Sequence, residues 1–316
     1  MQMNWKKGLT IGLITLLLVV IPMVVDIGTN ILNLMVILFI YIILSQSWNL
    51  IGGYTGQINL GLAAFFGCGV VITHLVWKAA FPIYFALIAG GIAALVLAVI
   101  IGLPTLRLRG IYFAIGSLAL AEVCRIVVGN IFTRMQSMPG SYAATYSLIP
   151  RYYLGLVIAI IAILVVYWIT NSKLGLALVA TRDAEKAAQV TGVNTFKYKV
   201  IALLISAFLA GLAGGVLAFL RLSFYDFSGQ FSPIWTFEPI MAVIIGGAGT
   251  IAGPIIGSIF LVVLSETLAL TMGQAHLIIF GILFIVVVLY FPLGLVGSAD
   301  RIYQPIIRIL KKKGIT

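Results

Sequence analysis

Long uncharged apolar segments recur along the whole chain, and their length is the strongest constraint on its fold. Two clear examples are residues 9–25 and 276–291. As a helix rising about 1.5 Å per residue, a run of about 17–20 such residues crosses an apolar layer roughly 30 Å thick. Hydrophobic residues make up 62% of the chain and charged residues only 9%, which is too little polar surface to cover a water-soluble globule. The sequence therefore predicts a polytopic membrane protein.

Helices rather than barrel strands account for these segments. Strands of a membrane barrel alternate apolar and polar residues, whereas the apolar runs of this chain are continuous. We therefore predict an all-α bundle in which residues 1–316 form a single transmembrane domain of about ten helices, with nine or eleven crossings as alternatives. The predicted spans are 9–25, 31–48, 57–77, 83–103, 111–130, 153–170, 200–220, 236–250, 251–270 and 275–292.

The linker between the eighth and ninth predicted spans, residues 246–250, is glycine-rich and carries no charge. It either joins two crossings or breaks a single re-entrant or discontinuous element, because irregular backbone is tolerated at membrane depth where it lines a cavity. Residues 52–57 form a second stretch of this kind. Close helix packing is the alternative use of such glycines. The structural glycines of the two regions are Gly52, Gly53, Gly56, Gly246, Gly247, Gly249, Gly253 and Gly257.

The basic residues are distributed unevenly among the loops. If the N-terminus is cytoplasmic, most of the 19 Lys and Arg residues fall in inside segments, so the positive-inside rule places both termini in the cytoplasm. The net charge of +11 follows mostly from this asymmetry and fits contact with anionic lipid headgroups. Nucleic-acid binding is not indicated, because no basic face is interleaved with aromatic residues.

The sequence offers little material for covalent chemistry. Two histidines, His74 and His276, and two cysteines, Cys68 and Cys124, show no metal-ligand spacing. We therefore expect no metal and no cofactor. No P-loop motif is present to bind a nucleoside triphosphate. The chain is not expected to be an enzyme, and if ATP powers transport, another subunit hydrolyses it.

A few polar side chains fall within the predicted spans, where a lone charge costs at least about 2.5 kcal/mol. Glu122 and Arg125 are spaced i, i+3 and so share one face of the fifth span. They either form an internal ion pair that orients the bundle or line a permeation path. Glu266 lies at the membrane interface or faces a vestibule. The other candidates for a polar pathway are Gln57 and Asn59.

Residues 181–200, with the sequence TRDAEKAAQVTGVNTFKYKV, form a charged, Ala-rich segment in the middle of this apolar chain. Asp183 suits the N-cap, Glu185 lies in the first turn, where it meets the helix dipole, and Gly192 suits the C′ position. The predicted helix of about two turns is too short to be stable alone in water, so it packs on its own bundle or on a docked subunit. A helix lying on the membrane surface would carry bulky apolar residues instead. The small-residue face comprises Ala184, Ala187, Ala188 and Thr191.

Five segments, among them most of residues 181–200, are informative together in their order along the chain. They are GGYTGQINLGLAAFFGCG, GLPTLRLRGIYFAIGSLALAEVCR, TRDAEKAAQVTGVNTFKYK, IIGGAGTIAGPIIGS and FPLGLVG. In this order they resemble the LivM-type permeases of branched-chain amino-acid ABC transporters. The resemblance implies a type II-importer-like architecture and a place in the bacterial or archaeal cell (inner) membrane. It also implies partners: a related second permease, two cytoplasmic ATPase subunits and an extracytoplasmic substrate-binding protein.

Within that family a cytoplasmic loop carries an EAA-like motif that couples the permease to its ATPase. The motif is matched here as E-x-A-A-x-x-x-G, a looser fit than a contiguous E-A-A, by Glu185, Ala187, Ala188 and Gly192. The resulting ATPase-coupling candidates are Asp183, Ala184, Glu185, Ala187, Ala188, Thr191 and Gly192. Branched-chain amino acids are the expected substrates. Urea or short amides and aromatic acids are alternatives within the same transporter class, and an ion-coupled secondary transporter is a more distant one.

Overall fold

The computed structural model describes residues 28–108 and 110–272 continuously, together with positions 18–20, 22, 281, 282, 285, 289 and 294–297. The first and last predicted spans lie largely outside the described residues. The described part is built almost entirely of helices, so the all-α prediction is confirmed.

The helices follow one another along the chain with short connections. They are α1 (Thr29–Thr55), α2 (Leu62–Lys78), α3 (Ile83–Thr105), α4 (Ile111–Ile131), α5 (Gly140–Ala144), α6 (Leu148–Thr170), α7 (Lys173–Val190), α8 (Thr195–Leu220), α9 (Ile234–Gly246) and α10 (Ala252–Met272). Within α3, the turn Ala98–Gly102 is π-helical. Two short strands, β1 (Gln136–Ser137) and β2 (Ser223–Phe224), pair antiparallel. A 3₁₀ turn covers Ser228–Phe231.

Five of these helices, α1, α3, α4, α6 and α8, are long and apolar enough to cross a membrane. They coincide with the second, fourth, fifth, sixth and seventh predicted spans. The apolar helix α2 and the apolar part of α10 are shorter. The protein is therefore a multi-pass membrane protein, and the described residues do not confirm the predicted total of ten crossings.

Helix α8 is the central helix of the bundle and packs against α1, α2 and α3. Small residues permit its closest approach to α2. A Cβ atom added to Gly69 would overlap the carbonyl oxygen of Gly211, and one added to Gly214 would overlap that of Phe66. The two backbones are thus in direct contact, which is the packing use of glycine in membrane helices. Of the five long helices, α4 is the most exposed.

The helices alternate in direction, so the described bundle has two distinct ends. One end, called the α7 end, carries α7, the C-terminus of α1 and the turn between α9 and α10, which hydrogen bonds join. The opposite end, called the hairpin end, carries the β1–β2 pair. There the Tyr142 hydroxyl donates to the carbonyl oxygen of Trp77, near the end of α2.

The first glycine-rich stretch, residues 52–57, is mostly helical. Gly52 and Gly53 belong to α1, and the backbone leaves the helix only at Gly56, which has a φ of +74°. The interpretation of the whole stretch as broken backbone is therefore wrong. Within the helix, Gly52 leaves room for the Trp48 ring. The Nε1 of Trp48 donates to the carbonyl oxygen of Asn59, beyond the end of α1, at 2.7 Å.

The second stretch, residues 246–250, is a turn between two antiparallel helices. Helix α9 ends at Gly246, Gly247 has a φ of +123°, and α10 begins at Ala252. With 13 residues, α9 is about 20 Å long, shorter than an apolar layer of about 30 Å. A 3₁₀ turn, of which Gln230 and Phe231 are buried, precedes it. Residues 246–250 therefore join two separate helices, and the first of them is too short to cross the layer alone.

Candidate functional site at the α7 end

The polar segment 181–200 begins inside a longer helix than predicted. Helix α7 starts with Ser172 as its N-cap, because the apolar residues before the segment pack helically on the bundle. The helix is kinked at Ala184, where φ is −156° and ψ is 83°. A second helical part begins after this break, so Ala184, and not Asp183, precedes its first turn, and the prediction of Asp183 as the N-cap is wrong by one residue. Its carboxylate instead pairs with the guanidinium of Arg182 at 3.0 Å.

The end of α7 agrees with the sequence. Gly192 has a φ of +88°, the left-handed conformation that suits the C′ position. The N–H of Val193 donates to the carbonyl oxygen of Ala188 at 2.9 Å, and the N–H of Gly192 donates to that of Gln189 at 3.0 Å. Such paired bonds satisfy the last carbonyls of a helix. The prediction that Gly192 ends this helix is confirmed.

The small-residue face of α7 is divided between the bundle and the outside. Ala188 is buried, whereas Ala184, Ala187 and Thr191 are exposed, and the neighbouring Val190 exposes 89% of its surface. An open depression of about 510 Å³ borders this part of the helix and is lined by Ala184, Glu185, Lys186, Ala187 and Gln189. Ala188 therefore attaches the helix to its own bundle, while the other small residues face outward beside Glu185, Lys186 and Gln189.

Glu185 is bound by the chain's own α8. The Lys199 ammonium donates to Glu185 Oε1 at 2.6 Å, and only 7% of Lys199 is exposed. Gln189 forms a second bridge by donating to the Thr195 hydroxyl at 2.8 Å. Because a buried ammonium requires its partner, Glu185 anchors the segment to α8. Sequence analysis missed Lys199, since 14 residues separate it from Glu185 and the two lie on different helices.

Arg182 connects the polar segment to two stretches of glycine backbone. We call these the glycine junction: Gly53 and Gly56 at the end of α1, and Gly247 and Gly249 in the α9–α10 turn. Arg182 Nη1 donates to the carbonyl oxygen of Gly53 at 3.0 Å. A Cβ atom on Gly249 would lie 2.8 Å from Nη1, and one on Gly56 would lie 2.9 Å from Cγ of the same arginine. The glycines thus make room for the arginine.

Two amide side chains of α1 hold the α9–α10 turn against the junction. Asn49 accepts from the N–H of Gly249 and donates to the carbonyl oxygen of Thr250, each at 2.8 Å. The Gln46 side chain donates to the carbonyl oxygen of Ile251 at 2.7 Å. Both side chains are fully buried, where amides need partners. Sequence analysis missed these residues, although a run of polar side chains inside an apolar span was an available signal.

Glu122 and Arg125 form the ion pair that was one of the two sequence interpretations. Nε and Nη2 of Arg125 lie 2.9 and 2.5 Å from Glu122 Oε1. The pair occurs near the middle of α4, and the two side chains remain 38% and 41% exposed. It therefore lies on the surface of this chain and not inside its bundle.

The remaining pathway candidates lie on different elements. Asn59 is buried in the break before α2, where its Oδ1 accepts from the N–H of Gly61 at 2.9 Å. Gln57 is half-buried in the same break, and Glu266 is exposed on α10. Among the described residues, no group of His, Cys, Asp and Glu side chains could hold a metal ion.

Comparison with known proteins shows the family. The family described as "Branched-chain amino acid transport system / permease component" matches residues 30–288. The chain belongs to this family. The match includes the whole glycine junction and the polar segment 181–200.

Similar proteins carry corresponding names. The high-affinity branched-chain amino acid transport system permease protein LivM of Escherichia coli (strain K12) is 26% identical, over 92% of this chain and 75% of that protein. Its counterpart of the same name in Salmonella typhimurium is 25% identical with the same coverage. The probable branched-chain amino acid transport permease protein LivM of Methanocaldococcus jannaschii is 22% identical, over 87% of this chain and 94% of that protein. No solved structure was found to match the chain.

Proposed function

We propose that this chain is the permease subunit of an ATP-driven importer of branched-chain or related neutral amino acids. It assembles with a related second permease and two cytoplasmic ATPase subunits, and an extracytoplasmic binding protein delivers the substrate. The family description and the names of the relatives, which specify branched-chain amino acid transport, support this proposal. In this role the chain catalyses no covalent reaction.

The double attachment of α7 is the observation that carries the proposal. Beyond the kink at Ala184, the helix directs Ala187 and Val190 outward. Before the kink, Arg182 of the same helix donates to the carbonyl oxygen of Gly53. A protein bound to the outward surface would therefore contact a helix that, a few residues earlier in the chain, is attached to α1 and lies against the α9–α10 turn. This arrangement suits the coupling of an external ATPase to the membrane helices.

Coupling then uses two connections. The Glu185–Lys199 ion pair links the distal part of α7 to the central helix α8. Arg182 links the proximal part to the glycine junction. When the ATPase subunits bind and hydrolyse ATP, movement of α7 is passed to both connections. Access alternates between the two sides of the membrane if the helices attached there have two discrete arrangements.

The proposal also assigns the two ends of the bundle. With both termini in the cytoplasm, as the distribution of basic residues predicts, the α7 end is cytoplasmic and meets the ATPase subunits. The hairpin end is then extracytoplasmic and meets the binding protein. Residues 1–316 act as a single transmembrane domain in the bacterial or archaeal cell (inner) membrane.

Ala187→Arg is expected to weaken ATPase binding at least about tenfold, equivalent to about 1.4 kcal/mol, because a long charged side chain would occupy an outward surface of small residues. Ala187 is the suitable site, since the adjacent Ala188 is buried and arginine there would disturb the fold. The measurement is co-purification of the ATPase subunits with the complete complex, followed by ATP-dependent leucine uptake in reconstituted vesicles.

Ala79→Arg is the matched control, because Ala79 is also exposed but lies at the hairpin end. This variant should retain its ATPase subunits. Unchanged assembly and uptake in Ala187→Arg would refute the coupling role of the segment. A panel of amino acids, urea and aromatic acids tests the substrate separately, and uptake of urea alone would overturn the amino-acid assignment.

A further inference from the structure

Helix α4 has an unusual surface for a helix that crosses a membrane. Its exposed residues are mostly apolar, and they include Ile115, Val123 and Ile126. Near its middle, however, the Glu122–Arg125 pair also reaches the surface. Charged groups that face lipid tails are strongly unfavourable, even as a pair. Among the described residues this side of α4 is left open, so water or protein, and not lipid, should contact the ion pair.

A groove leads from this region to the hairpin end. It has a volume of about 350 Å³ and is lined by Gly129, Phe132, Thr133, Met135, Tyr225, Asp226 and Ser228. Asp226 lies within electrostatic reach of Arg125. The polar and charged groups of the groove, Thr133, Asp226 and Ser228, thus lie beside the last turn of α4, and residues 126–131 between them and the ion pair carry one polar side chain, Asn130. The volume of the groove falls within the range of small-molecule sites, about 300–1,000 Å³.

The ion pair has the chemistry to recognise an amino acid. A carboxylate beside a guanidinium complements a ligand that carries one ammonium and one carboxylate group, and each contact is a charge-assisted hydrogen bond. Arg125 uses Nε and Nη2 for Glu122, so Nη1 is available for a ligand carboxylate. A neutral solute such as urea could hydrogen-bond to both groups but would form an ion pair with neither.

We propose that this side of α4 lines a water-filled passage, and that Glu122 and Arg125 bind the ammonium and carboxylate groups of a zwitterionic amino acid within it. The groove beside Asp226 is the entrance to the passage. This inference rests on the proposed function, because the opposite wall of the passage is the second permease subunit.

Cysteine labelling tests whether the passage contains water. In the complete complex with Cys68→Ala and Cys124→Ala, Val123→Cys is compared with Val157→Cys on α6. The two valines are 52% and 51% exposed and lie at similar distances from the hairpin end of their helices. Because only a thiolate reacts, a cationic thiosulfonate reagent should modify Val123→Cys at least about tenfold faster. Equally slow modification of the two cysteines would refute the proposal of a water-filled passage along α4.

Substrate protection tests the binding role of the ion pair. Leucine-loaded binding protein and ATP should slow modification of Val123→Cys, and Glu122→Gln or Arg125→Gln should remove this protection. Protection that survives both substitutions would assign the pair a structural role and overturn the site. ATP-dependent leucine uptake by the cysteine-free complex checks the proposed function independently. Uptake with an unreactive Val123→Cys would refute the passage alone, and no ATP-dependent uptake of any amino acid by the unmodified complex would refute the importer assignment.

Discussion

Arg182→Ala is expected to lower ATP-dependent amino acid uptake by roughly tenfold to hundredfold while the ATPase subunits still co-purify. The substitution removes the hydrogen bond from Nη1 to the Gly53 carbonyl oxygen and empties the space between Gly56 and Gly249. A hydrogen bond from a charged donor contributes about 1.5–3 kcal/mol, which corresponds to that range of effects. The measurement is uptake divided by ATP hydrolysed in the same vesicles, because loss of the link should leave ATP hydrolysis uncoupled from transport.

Two further variants show whether the hydrogen bond itself is responsible. Asp183→Asn removes the charged partner of Arg182, but this ion pair is exposed and contributes little, so the ratio of uptake to ATP hydrolysed should fall much less than in Arg182→Ala. Arg182→Lys keeps the positive charge but loses the planar guanidinium group. Its ratio of uptake to ATP hydrolysed should lie between those of the wild type and Arg182→Ala. Wild-type coupling in Arg182→Ala would refute the link. Loss of the ATPase subunits from this variant would show that Arg182 belongs to the docking surface.

Gly257→Ala is expected to prevent formation of a stable protein. A Cβ atom at this position would overlap the carbonyl oxygen of Ala242, so α9 and α10 would have to separate. Overpacking in a well-packed interior costs about 1–3 kcal/mol when side chains can adjust. Here the added atom would meet backbone, which cannot adjust as a side chain does. The free energy of unfolding should therefore fall by at least about 3 kcal/mol. The measurement is the yield of monodisperse complex in detergent and its melting temperature.

Gly155→Ala is the matched control for a glycine inside a long helix. The nearest atom to its added Cβ would be a Phe39 ring carbon at 3.4 Å, an ordinary contact. This substitution should be neutral or should stabilise α6 by up to about 0.5–1 kcal/mol, since alanine favours helix. Equal melting temperatures for the Gly155 and Gly257 variants would contradict the proposed close contact between α9 and α10.

Features that depend on neighbouring residues could be predicted from the sequence. Gly192 ends α7 because a left-handed residue is favourable at C′ whatever surrounds the helix. Glu122 and Arg125 pair because an i, i+3 spacing brings side chains together on any helix. The uncharged apolar runs predict membrane helices for a similar reason, since backbone in lipid must satisfy its own hydrogen bonds.

Features that depend on distant residues could not be predicted in this way. Asn49 contacts the α9–α10 turn across about 200 positions of sequence, and no local pattern identifies such a pair. Asp183 was expected to cap a helix because its type suits that position. The residues before it are helical as well, because they pack on the bundle, and the helix breaks one position later, at Ala184, so tertiary packing overrides local preference.

The sequence by itself determined that this protein is an all-α membrane protein, because membrane insertion depends on the length and polarity of each segment alone. It also located the charged segment 181–200 and the glycines that later prove to surround Arg182. Only the tertiary structure decided how these parts meet. The kink at Ala184 turns one part of α7 outward and leaves Arg182 against the glycine junction. That arrangement arises from contacts between helices far apart in the chain, and only the folded bundle brings them together.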